Sequence, residues 1–215
     1  MAHDKPISRA VIKRLPRYYR FLGELLKSDI VRISSRELSA RMGLTASQIR
    51  QDLNCFGGFG QQGYGYNIQE LHEEIGHILG LDQRMDAILI GAGNLGRAVA
   101  NHMDFDNRGF HLSAIFDENP QLIGQRIKNI PIEHTDKMES FCKINHPMVA
   151  ILCIPKTATK AISDRLIALG VKGFWNFSHY DLLNQHSGII VENVHMSDSL
   201  MTLSYEIKEL LKEKS

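Results

Sequence analysis

Residues 87–100 have the sequence AILIGAGNLGRAVA, in which an apolar run is followed by a glycine-rich turn and a segment typical of a helix. Gly91, Gly93 and Gly96 have the G-x-G-x-x-G spacing of dinucleotide-binding turns. Asp117 follows a second apolar run about 20 residues later, where such folds place an acid that binds the ribose hydroxyls. The pattern predicts an α/β domain with a dinucleotide at one edge of its sheet.

Each glycine has a separate physical role in such a turn. Gly91 permits the tight turn, Gly93 lets the backbone approach a pyrophosphate, and Gly96 lets helix and strand pack closely. The free amides and the positive end of the helix then attract the anion. Asp117 favours NAD over NADP, because its charge would repel a 2′-phosphate. The alternative is a glycine turn that binds nothing. The binding interpretation assigns cofactor contacts to Gly91, Ala92, Gly93, Asn94, Leu95, Gly96 and Asp117.

Two later strands are expected to end at the same edge. Residues 148–154 predict a buried parallel strand and residues 173–177 another, while residues 127–132 predict an edge segment. Because ligands of open α/β sheets lie at the carboxyl ends of strands, further cofactor contacts are expected there. They are Cys153, Ile154, Pro155, Thr157, Asn176 and Phe177. A core position is the commoner role for Phe177, and an inert thiol is favoured over an oxidisable one for Cys153.

The basic residues are concentrated in the N-terminal part of the chain. Residues 5–50 contain eleven Lys/Arg and three acidic residues, whereas the whole chain has a formal net charge of +1. A segment this positive in front of a nucleotide fold suggests an anionic partner such as nucleic acid. A solvated basic face is the alternative, and charge alone does not decide between the two.

Two short helices are predicted in this basic segment. Ser34 and Glu37 have capping-box spacing for the first, which Gly43 ends, and Thr45 and Gln48 have the same spacing for the second. Such a pair forms a helix-turn-helix, whose second helix enters the DNA major groove, or else a small helical packing unit. The DNA interpretation assigns contacts to Ser47, Gln48, Arg50 and Gln51. An arginine there can bind a guanine edge or a phosphate, and a glutamine can pair with adenine.

Two further helices frame this pair. Apolar residues recur at helical spacing from Ile7 to Leu26, and Pro16 within that stretch predicts a kink or a new helix start. Asn67 and Glu70 predict the start of another helix, which ends at Gly80. The glycine predicts a domain boundary.

A glycine-rich segment follows the second short helix. Residues 56–66, FGGFGQQGYGY, combine glycines with aromatic residues and show no helical period. They predict a hairpin, which would be the wing of a winged helix. Gln61, Gln62 and Tyr64 can donate hydrogen bonds to phosphates from such a hairpin.

The C-terminal segment predicts one amphipathic helix. Its apolar residues recur at i, i+3, i+7, i+10 and i+11, and they are Leu200, Leu203, Ile207, Leu210 and Leu211. Such a helix buries its apolar stripe either against its own domain or against a partner subunit.

The order of these parts resembles the Rex family of redox-sensing transcriptional repressors. The resemblance extends over essentially the whole chain, and the wing with the preceding residues 50–53 is its most specific part. The other matching segments are RLPRYYR at 14–20, SSREL at 34–38, GAGNLG at 91–96, IFD at 115–117, WNF at 175–177 and VENV at 191–194. The resemblance implies a winged-helix DNA-binding domain in residues 1–80, a Rossmann NAD(H)-binding domain in residues 84–194 and a C-terminal helix, residues 197–213, swapped between two subunits.

The resemblance also implies a mechanism. In this family a homodimer binds a palindromic operator when it is free of NADH or bound to NAD⁺, and it leaves the DNA when NADH closes the two subunits. NADH must therefore bind the closed state more tightly than the open one. By this resemblance we expect a repressor with NAD(H) as its ligand and double-stranded operator DNA as its partner, and the three cysteines, which have no paired spacing, fit a reducing cytoplasm.

The sequence departs from the family pattern in two places. The recognition helix commonly has a lysine where this chain has Gln51, so one cation is missing. In some members an acid before the C-terminal helix pairs alternately with an arginine of the first helix and a tyrosine after the glycine helix. The corresponding positions here are His195, Arg20 and His102, so neither the acid nor the tyrosine is kept. Asp198 is the nearest acid, and it either substitutes in the switch or caps the helix.

Other classes of protein are less consistent with the sequence. No apolar run approaches the roughly 20 residues that cross a bilayer, and the cysteines have no metal-ligand spacing, so neither a membrane span nor a metal site is expected. An NAD-dependent dehydrogenase is the main rival, but little chain follows the last predicted strand and no acid–base pair is evident. A nucleotide- or CoA-binding module without DNA is the second rival, and the basic helix-turn-helix with its wing counts against it.

Overall fold

The computed structural model describes residues 7–28, 30–57, 64–184 and 186–212. The chain divides into two compact units, residues 1–82 and residues 83–215. The first unit has one hydrophobic core, and the second has a core on each face of a large sheet. Each unit therefore buries its own apolar surface.

The first unit packs its helices around a core of aliphatic side chains and Tyr18. Helix α1 packs against α4, and α2 packs against α3. The elements are α1 (Arg9–Leu26), β1 (Arg32–Ile33), α2 (Ser35–Met42), α3 (Ala46–Asn54), β2 (Tyr66–Asn67) and α4 (Ile68–Ile78). The two short helices predicted in the basic segment are thus α2 and α3.

Local capping explains where α2 begins and ends. The Ser34 hydroxyl accepts a hydrogen bond from the Glu37 amide at 3.1 Å, and the Glu37 carboxylate accepts one from the Ser34 amide at 2.8 Å. Gly43 ends the helix in the left-handed conformation, with φ +63°. The predicted capping box and glycine stop are confirmed, because both depend only on neighbouring residues.

Helix α1 is unbroken at Pro16, so the predicted new start is wrong. Proline removes the hydrogen bond to the carbonyl of Ile12, a loss that normally disturbs a helix interior. The buried side chains of α1 lie on both sides of the proline, and they are Val11, Leu15, Tyr18, Leu22 and Leu25. Packing of this continuous apolar face holds both halves in one helix, while Pro16 itself is exposed.

The segment predicted to form the wing lies largely outside the described residues, because residues 58–63 belong to the part not described. The described end of it, β2, pairs antiparallel with β1, placing Tyr66 opposite Ile33. Asn67 then caps α4 by accepting a hydrogen bond from the Glu70 amide at 3.3 Å. The predicted start of this helix is confirmed.

The second unit contains a seven-stranded sheet in the order β5-β6-β4-β3-β7-β8-β9. The strands are β3 (Met85–Ile90), β4 (Phe110–Asp117), β5 (Arg126–Ile127), β6 (Ile130–His134), β7 (Val149–Leu152), β8 (Gly173–Asn176) and β9 (Ile190–Asn193). All neighbours pair parallel except β5, which pairs antiparallel with β6. The buried apolar strands predicted around the glycine turn are therefore confirmed as a parallel sheet.

Helices cover both faces of this sheet. They are α5 (Asn94–His102), α6 (Met138–Asn145) and α7 (Lys156–Ala168), and the chain continues after β9 with α8 (Met196–Lys212). Side chains of α5 pack on the face that carries Ala87 and Leu89, and those of α6 and α7 pack on the face that carries Ile88 and Ile90. Residues 127–132 were expected to form one edge segment, but they belong to the β5–β6 hairpin, in which only β5 lies at the edge.

Helix α8 presents its apolar stripe to solvent in the single chain. None of its described residues is buried, and its large apolar side chains are about half to two-thirds exposed. An apolar groove of about 600 Å³ lies on the sheet face shared with α5, and its lining includes Ala87, Phe110, Val149, Ile151, Trp175 and Glu192. Within the described ranges, no helix is long and apolar enough to cross a membrane.

Candidate nucleotide site and candidate DNA-binding helix

The glycine turn connects β3 to α5 at the carboxyl edge of the sheet. Gly91 has φ +95°, and a Cβ atom on it would lie 2.5 Å from the carbonyl oxygen of Cys153 at the end of β7. A Cβ atom on Gly96 would lie 1.8 Å from the Gly91 carbonyl oxygen. These two glycines are therefore required by packing within the chain.

Gly93 differs, because a Cβ atom there would meet no described atom within 4 Å. It is exposed and stands at the N-cap of α5, where no side chain of the described residues caps the helix. The open space, the uncapped amides and the positive helix end together form a surface that suits an anion. The predicted approach of a pyrophosphate at Gly93 stays a prediction, and this geometry suits it.

Asp117 ends β4 beside the glycine turn, at the position expected from the sequence. One carboxylate oxygen accepts a hydrogen bond from the Ala92 amide at 2.5 Å, and the other accepts one from the Asn119 amide at 2.7 Å. The side chain is only half-buried. These contacts fix the carboxylate at the mouth of the turn, where a ribose would be bound.

Arg97 also contacts this turn, although the glycine motif predicts no role for it. Its Nε atom donates to the Ala92 carbonyl oxygen at 3.1 Å, and its Nη2 atom donates to the Gln125 side chain at 2.6 Å. The guanidinium thus ties the turn to the segment that leads into β5. The only signal in the sequence was its position directly after the last glycine of the motif.

The end of β7 forms the neighbouring wall of the site. The side chain of Ile154 and the carbonyl of Cys153 lie against the position of a Gly91 Cβ atom, and Pro155 and Thr157 are exposed at the start of α7. Burial raises the pKa of the Cys153 thiol to about 12. The thiol is therefore protonated at neutral pH, which favours the inert role.

The two predicted contacts at the end of β8 have different surroundings. Asn176 is fully buried, and its amide makes four hydrogen bonds within the protein, to Tyr180, Asn193 and Ser178. An asparagine side chain has about that capacity, so it has none left for a nucleotide. Phe177 is half-buried and packs edge-on against Trp175, with ring centroids 4.8 Å apart.

In the first unit, α3 turns a polar face to solvent. Ser47, Arg50, Gln51 and Asn54 are exposed and lie at helical spacing on one side, whereas Ile49 and Leu53 are buried. Asn54 shares the face of the predicted DNA contacts, although it was not predicted to be one of them. Arg50 donates from Nη1 to the Ser35 hydroxyl at 3.0 Å, which links this face to the start of α2.

Gln48 does not complete the capping box predicted for α3. Thr45 accepts a hydrogen bond from the Gln48 amide at 3.1 Å, as expected, but the Gln48 side chain donates to Asp52 at 2.7 Å. The buried carboxylate of Asp52 is a charged acceptor for the Gln48 amide nitrogen, and this bond directs the side chain away from the N-cap amide, from which its oxygen would accept in a capping box. Gln48 is half-buried and contributes an inward contact, so its side chain is less available for bases than Ser47, Arg50 or Gln51.

Asp52 is the buried centre of this unit. It accepts hydrogen bonds from Arg14, Tyr18 and Gln48. Burial raises the pKa of Asp52, but the hydrogen bonds from these three donors outweigh it and hold the pKa below its usual value. Burial and the bond to Asp52 raise the pKa of Tyr18. No role was predicted for Asp52, because Arg14 and Tyr18 belong to a different helix, α1.

The remaining predicted residues are distributed over both units. Tyr64 is exposed, with its backbone carbonyl 3.4 Å from Arg32 Nη1, while Gln61 and Gln62 lie outside the described residues. Arg20 is exposed on α1, and His102 is exposed at the end of α5.

His195 stands directly before α8 and contacts His179, with their Nδ1 atoms 2.7 Å apart. Asp198 is in the first turn of α8, which begins at Met196, so the prediction that it caps the helix is wrong. In the described part of the chain, no three His, Cys, Asp or Glu side chains gather as a metal site.

The comparisons with known proteins agree with a candidate DNA-binding face in the first unit and a candidate nucleotide site in the second. Residues 6–54 match the family model "Putative DNA-binding protein N-terminus", and residues 82–180 match the model "CoA binding domain". A redox-sensing transcriptional repressor Rex from Caldanaerobacter subterraneus subsp. tengcongensis is 57% identical over 209 residues, which cover 97% of this chain and 93% of that protein. The chain belongs to the Rex family of redox-sensing transcriptional repressors.

Solved structures extend the likeness to three dimensions. RSP in complex with β-NAD⁺ and operator DNA has a TM-score of 0.88 and 53% identity, covering 98% of this chain and 97% of that one. RSP in complex with β-NADH has a TM-score of 0.89 and 50% identity, covering 99% of this chain and 100% of that one. The predicted fold class, an N-terminal DNA-binding domain followed by a Rossmann-like α/β domain, is confirmed by this membership of the Rex family.

Proposed function

We propose that the chain is a dimeric repressor that binds operator DNA through its first unit and releases it when NADH binds the second. The observation that carries the proposal is the exposed polar face of α3 in a chain that also has an uncapped glycine turn beside Asp117. The relatives named as redox-sensing repressors, and the RSP complexes with NADH and with NAD⁺ and operator DNA, support it. The domain assignment is 1–80 for DNA, 84–194 for NAD(H) and 197–213 for dimerisation.

The ligand of the second unit is NAD(H). The pyrophosphate lies over Gly93 and the start of α5, and the adenosine ribose bonds Asp117. The Asp117 carboxylate repels the additional phosphate of NADP at this position. The charge of Asp117 also argues against CoA, because the adenosine ribose of CoA carries a phosphate. This holds although the family model that matches this region is named for CoA binding.

The DNA contacts come from the N-terminal half of α3 and from the wing. Ser47, Arg50 and Gln51 face the major groove, and Gln61, Gln62 and Tyr64 contact the phosphates. Gln48 acts mainly by holding Asp52, since its amide nitrogen is already bonded there. The absence of a lysine at position 51 leaves Arg50 as the cation of this face and makes adenine a suitable base for Gln51.

The partner of α8 is a second copy of this chain. Its exposed apolar stripe needs a complementary surface, and the open groove beside Trp175 on the sheet of the second unit is lined by apolar side chains. A stripe of five or more aliphatic side chains that stays in water is unusual for a monomer. When two subunits exchange α8, the stripe of each helix packs in the groove of the other subunit, so both apolar surfaces are buried.

The chain acts in the cytoplasm, where it binds its nucleotide as a signal and catalyses no reaction. The relatives are named as transcriptional repressors, which supports this assignment over a dehydrogenase. A dehydrogenase needs a positioned acid or base beside the nicotinamide. The thiol at the end of β7 does not serve, since its pKa is raised to about 12.

The direct test is an electrophoretic mobility shift with a palindromic promoter fragment at fixed salt, titrated with NADH and with NAD⁺. We expect a complex that NADH dissociates at a concentration where NAD⁺ does not. Salt must be constant because phosphate contacts make affinity strongly salt-dependent. A complex that neither nucleotide dissociates, or no complex at low salt, would contradict the proposal.

A further inference from the structure

The carboxyl ends of β8 and β9 are joined by side chains. Asn176 donates from Nδ2 to the Asn193 side-chain oxygen and to the Tyr180 carbonyl oxygen, both at 2.8 Å. Its own side-chain oxygen accepts from the Ser178 amide at 3.1 Å and from the Ser178 hydroxyl at 2.6 Å. Because Asn176 is fully buried, these bonds hold the loop after β8 firmly against the end of β9.

A second link lies just beyond the first. The Nδ1 atoms of His179 and His195 are 2.7 Å apart, and their rings are stacked with centroids 4.8 Å apart and an interplanar angle of 28°. At this distance one imidazole nitrogen donates and the other accepts. His195 also accepts a backbone hydrogen bond from the Asp198 amide at 3.1 Å, in the first turn of α8. The pair therefore connects the loop after β8 to the start of α8.

His179 is held in an unusual backbone conformation. Its φ of +58° is in the left-handed region, which costs a residue with a Cβ atom free energy unless contacts compensate for it. The contact with His195 is such a compensating contact. Loss of the contact with His195 would leave this backbone conformation without that compensation.

The same loop begins at the nucleotide edge, and it contacts a residue that lines the apolar groove. Phe177 lies between Asn176 and Ser178 at the carboxyl edge of the sheet, and it packs on Trp175, which lines the groove. A ligand that presses on Phe177 therefore acts on a short segment, only two residues from His179.

We propose that the His179–His195 contact is a latch through which a nucleotide at the carboxyl edge controls the start of α8. The inference rests on the proposed function, in which NADH and operator DNA bind to different states of the dimer. The latch is a positioning device: neither histidine needs to touch the nucleotide or the DNA. The effect of the latch is measured as the coupling between NADH and operator DNA. This coupling ratio is the NADH affinity without operator divided by the NADH affinity with operator present.

The test compares the unaltered full-length chain with His179→Asn and His195→Asn. Asparagine tolerates the left-handed conformation at position 179, but it is too short to keep the contact. His146→Asn is the matched control, because His146 is also exposed, with φ +48°, and it ends α6. NADH affinity is measured by the fluorescence of bound NADH, with and without a saturating palindromic operator fragment.

For both latch variants we expect NADH affinity without DNA to stay within about twofold of the unaltered chain. The coupling ratio should fall by about fivefold, the lower end of typical allosteric couplings. The double variant should lower the ratio no further than either single one, since one contact is lost in each case. The control should keep the full ratio.

Three results would overturn the latch. An unchanged ratio in both variants would show that the contact carries no coupling. A parallel loss of NADH affinity in the absence of DNA would make the histidines part of the nucleotide site. Additive effects in the double variant would mean that the histidines act separately. Failure of the unaltered chain to bind NADH or operator is a separate result, which would refute the proposed function itself.

Discussion

Arg14 holds Asp52 through two hydrogen bonds, 2.6 Å from Nε to Oδ2 and 2.7 Å from Nη2 to Oδ1. The Asp52 side chain is only 1% exposed, so the pair lies largely inside the first unit. The two residues belong to α1 and α3, and the pair therefore fixes the helix with the predicted DNA contacts against the first helix of the chain. Bidentate geometry of this kind is specific in direction as well as strong.

Arg14→Ala should reduce the free energy of unfolding by about 3 kcal/mol, because it leaves a buried carboxylate without its cation. Urea denaturation of the full-length chain measures the change. Arg41→Ala, which removes an exposed cation at the end of α2, is the control and should change the free energy by no more than about 0.5 kcal/mol. Equal effects of the two substitutions would show that net charge, rather than the buried pair, is responsible.

The lowered pKa of Asp52 predicts a loss of stability in acid. A carboxyl whose pKa is lower in the folded chain stabilises the fold above its unfolded pKa of about 3.9, and this contribution disappears as the pH falls through the folded pKa. Asp52→Asn should be less stable at neutral pH and should lose less stability between neutral and acidic pH. Urea midpoints measured across that range check this, and an unchanged pH slope would contradict it.

Gly93→Val and Gly96→Val should separate nucleotide binding from folding. A Cβ atom at Gly93 meets no described atom within 4 Å, so that variant should fold with an unfolding free energy within about 0.5 kcal/mol of the unaltered chain. It should lose at least about tenfold in NADH affinity, because the side chain fills the space of the pyrophosphate. Gly96→Val places an atom against the Gly91 carbonyl and should destabilise the fold. Calorimetry and NADH fluorescence test both, and full NADH affinity in Gly93→Val would contradict the predicted site.

Local and non-local features differed in how well the sequence predicted them. The capping of α2 and α4 and the glycine turn were predicted because neighbouring residues determine them. The orientation of Gln48 was not, because its amide nitrogen bonds the buried Asp52 carboxylate, which is held by Arg14 and Tyr18 from a distant part of the sequence. Non-local packing also explains why α1 continues through Pro16. In the same way, contacts with residues that follow β8 and with β9 use all the hydrogen-bonding groups of the Asn176 side chain.

Leu203→Glu should convert the chain to a monomer if α8 packs in the groove of a second copy. The substitution places a charge in the apolar stripe, which is costly to bury without a partner. Lys208→Glu, which exchanges one charge for another at an exposed position outside the five stripe residues, should leave the dimer intact. Light scattering after size-exclusion chromatography measures the mass of each, and truncation before Ser197 should give the same monomer. A soluble, DNA-binding, NADH-responsive truncation product would refute the swapped helix.

Arg50→Ala should weaken operator binding by about 10- to 100-fold and leave NADH affinity unchanged, because Arg50 lies on the exposed face of α3 in the first unit, whereas the glycine turn belongs to the second. Its hydrogen bond to the Ser35 hydroxyl leaves donors for either a phosphate or a guanine. If Arg50 contacts a phosphate, the substitution should reduce affinity equally for all operator variants. It should also reduce the slope of log affinity against log salt concentration by about one. If Arg50 contacts a guanine, the preference for one particular base pair of the operator should be lost, and the salt dependence of the affinity should change little. Titrations of operator variants at several salt concentrations distinguish these, and loss of NADH binding in Arg50→Ala would contradict the assignment of the two functions to separate units.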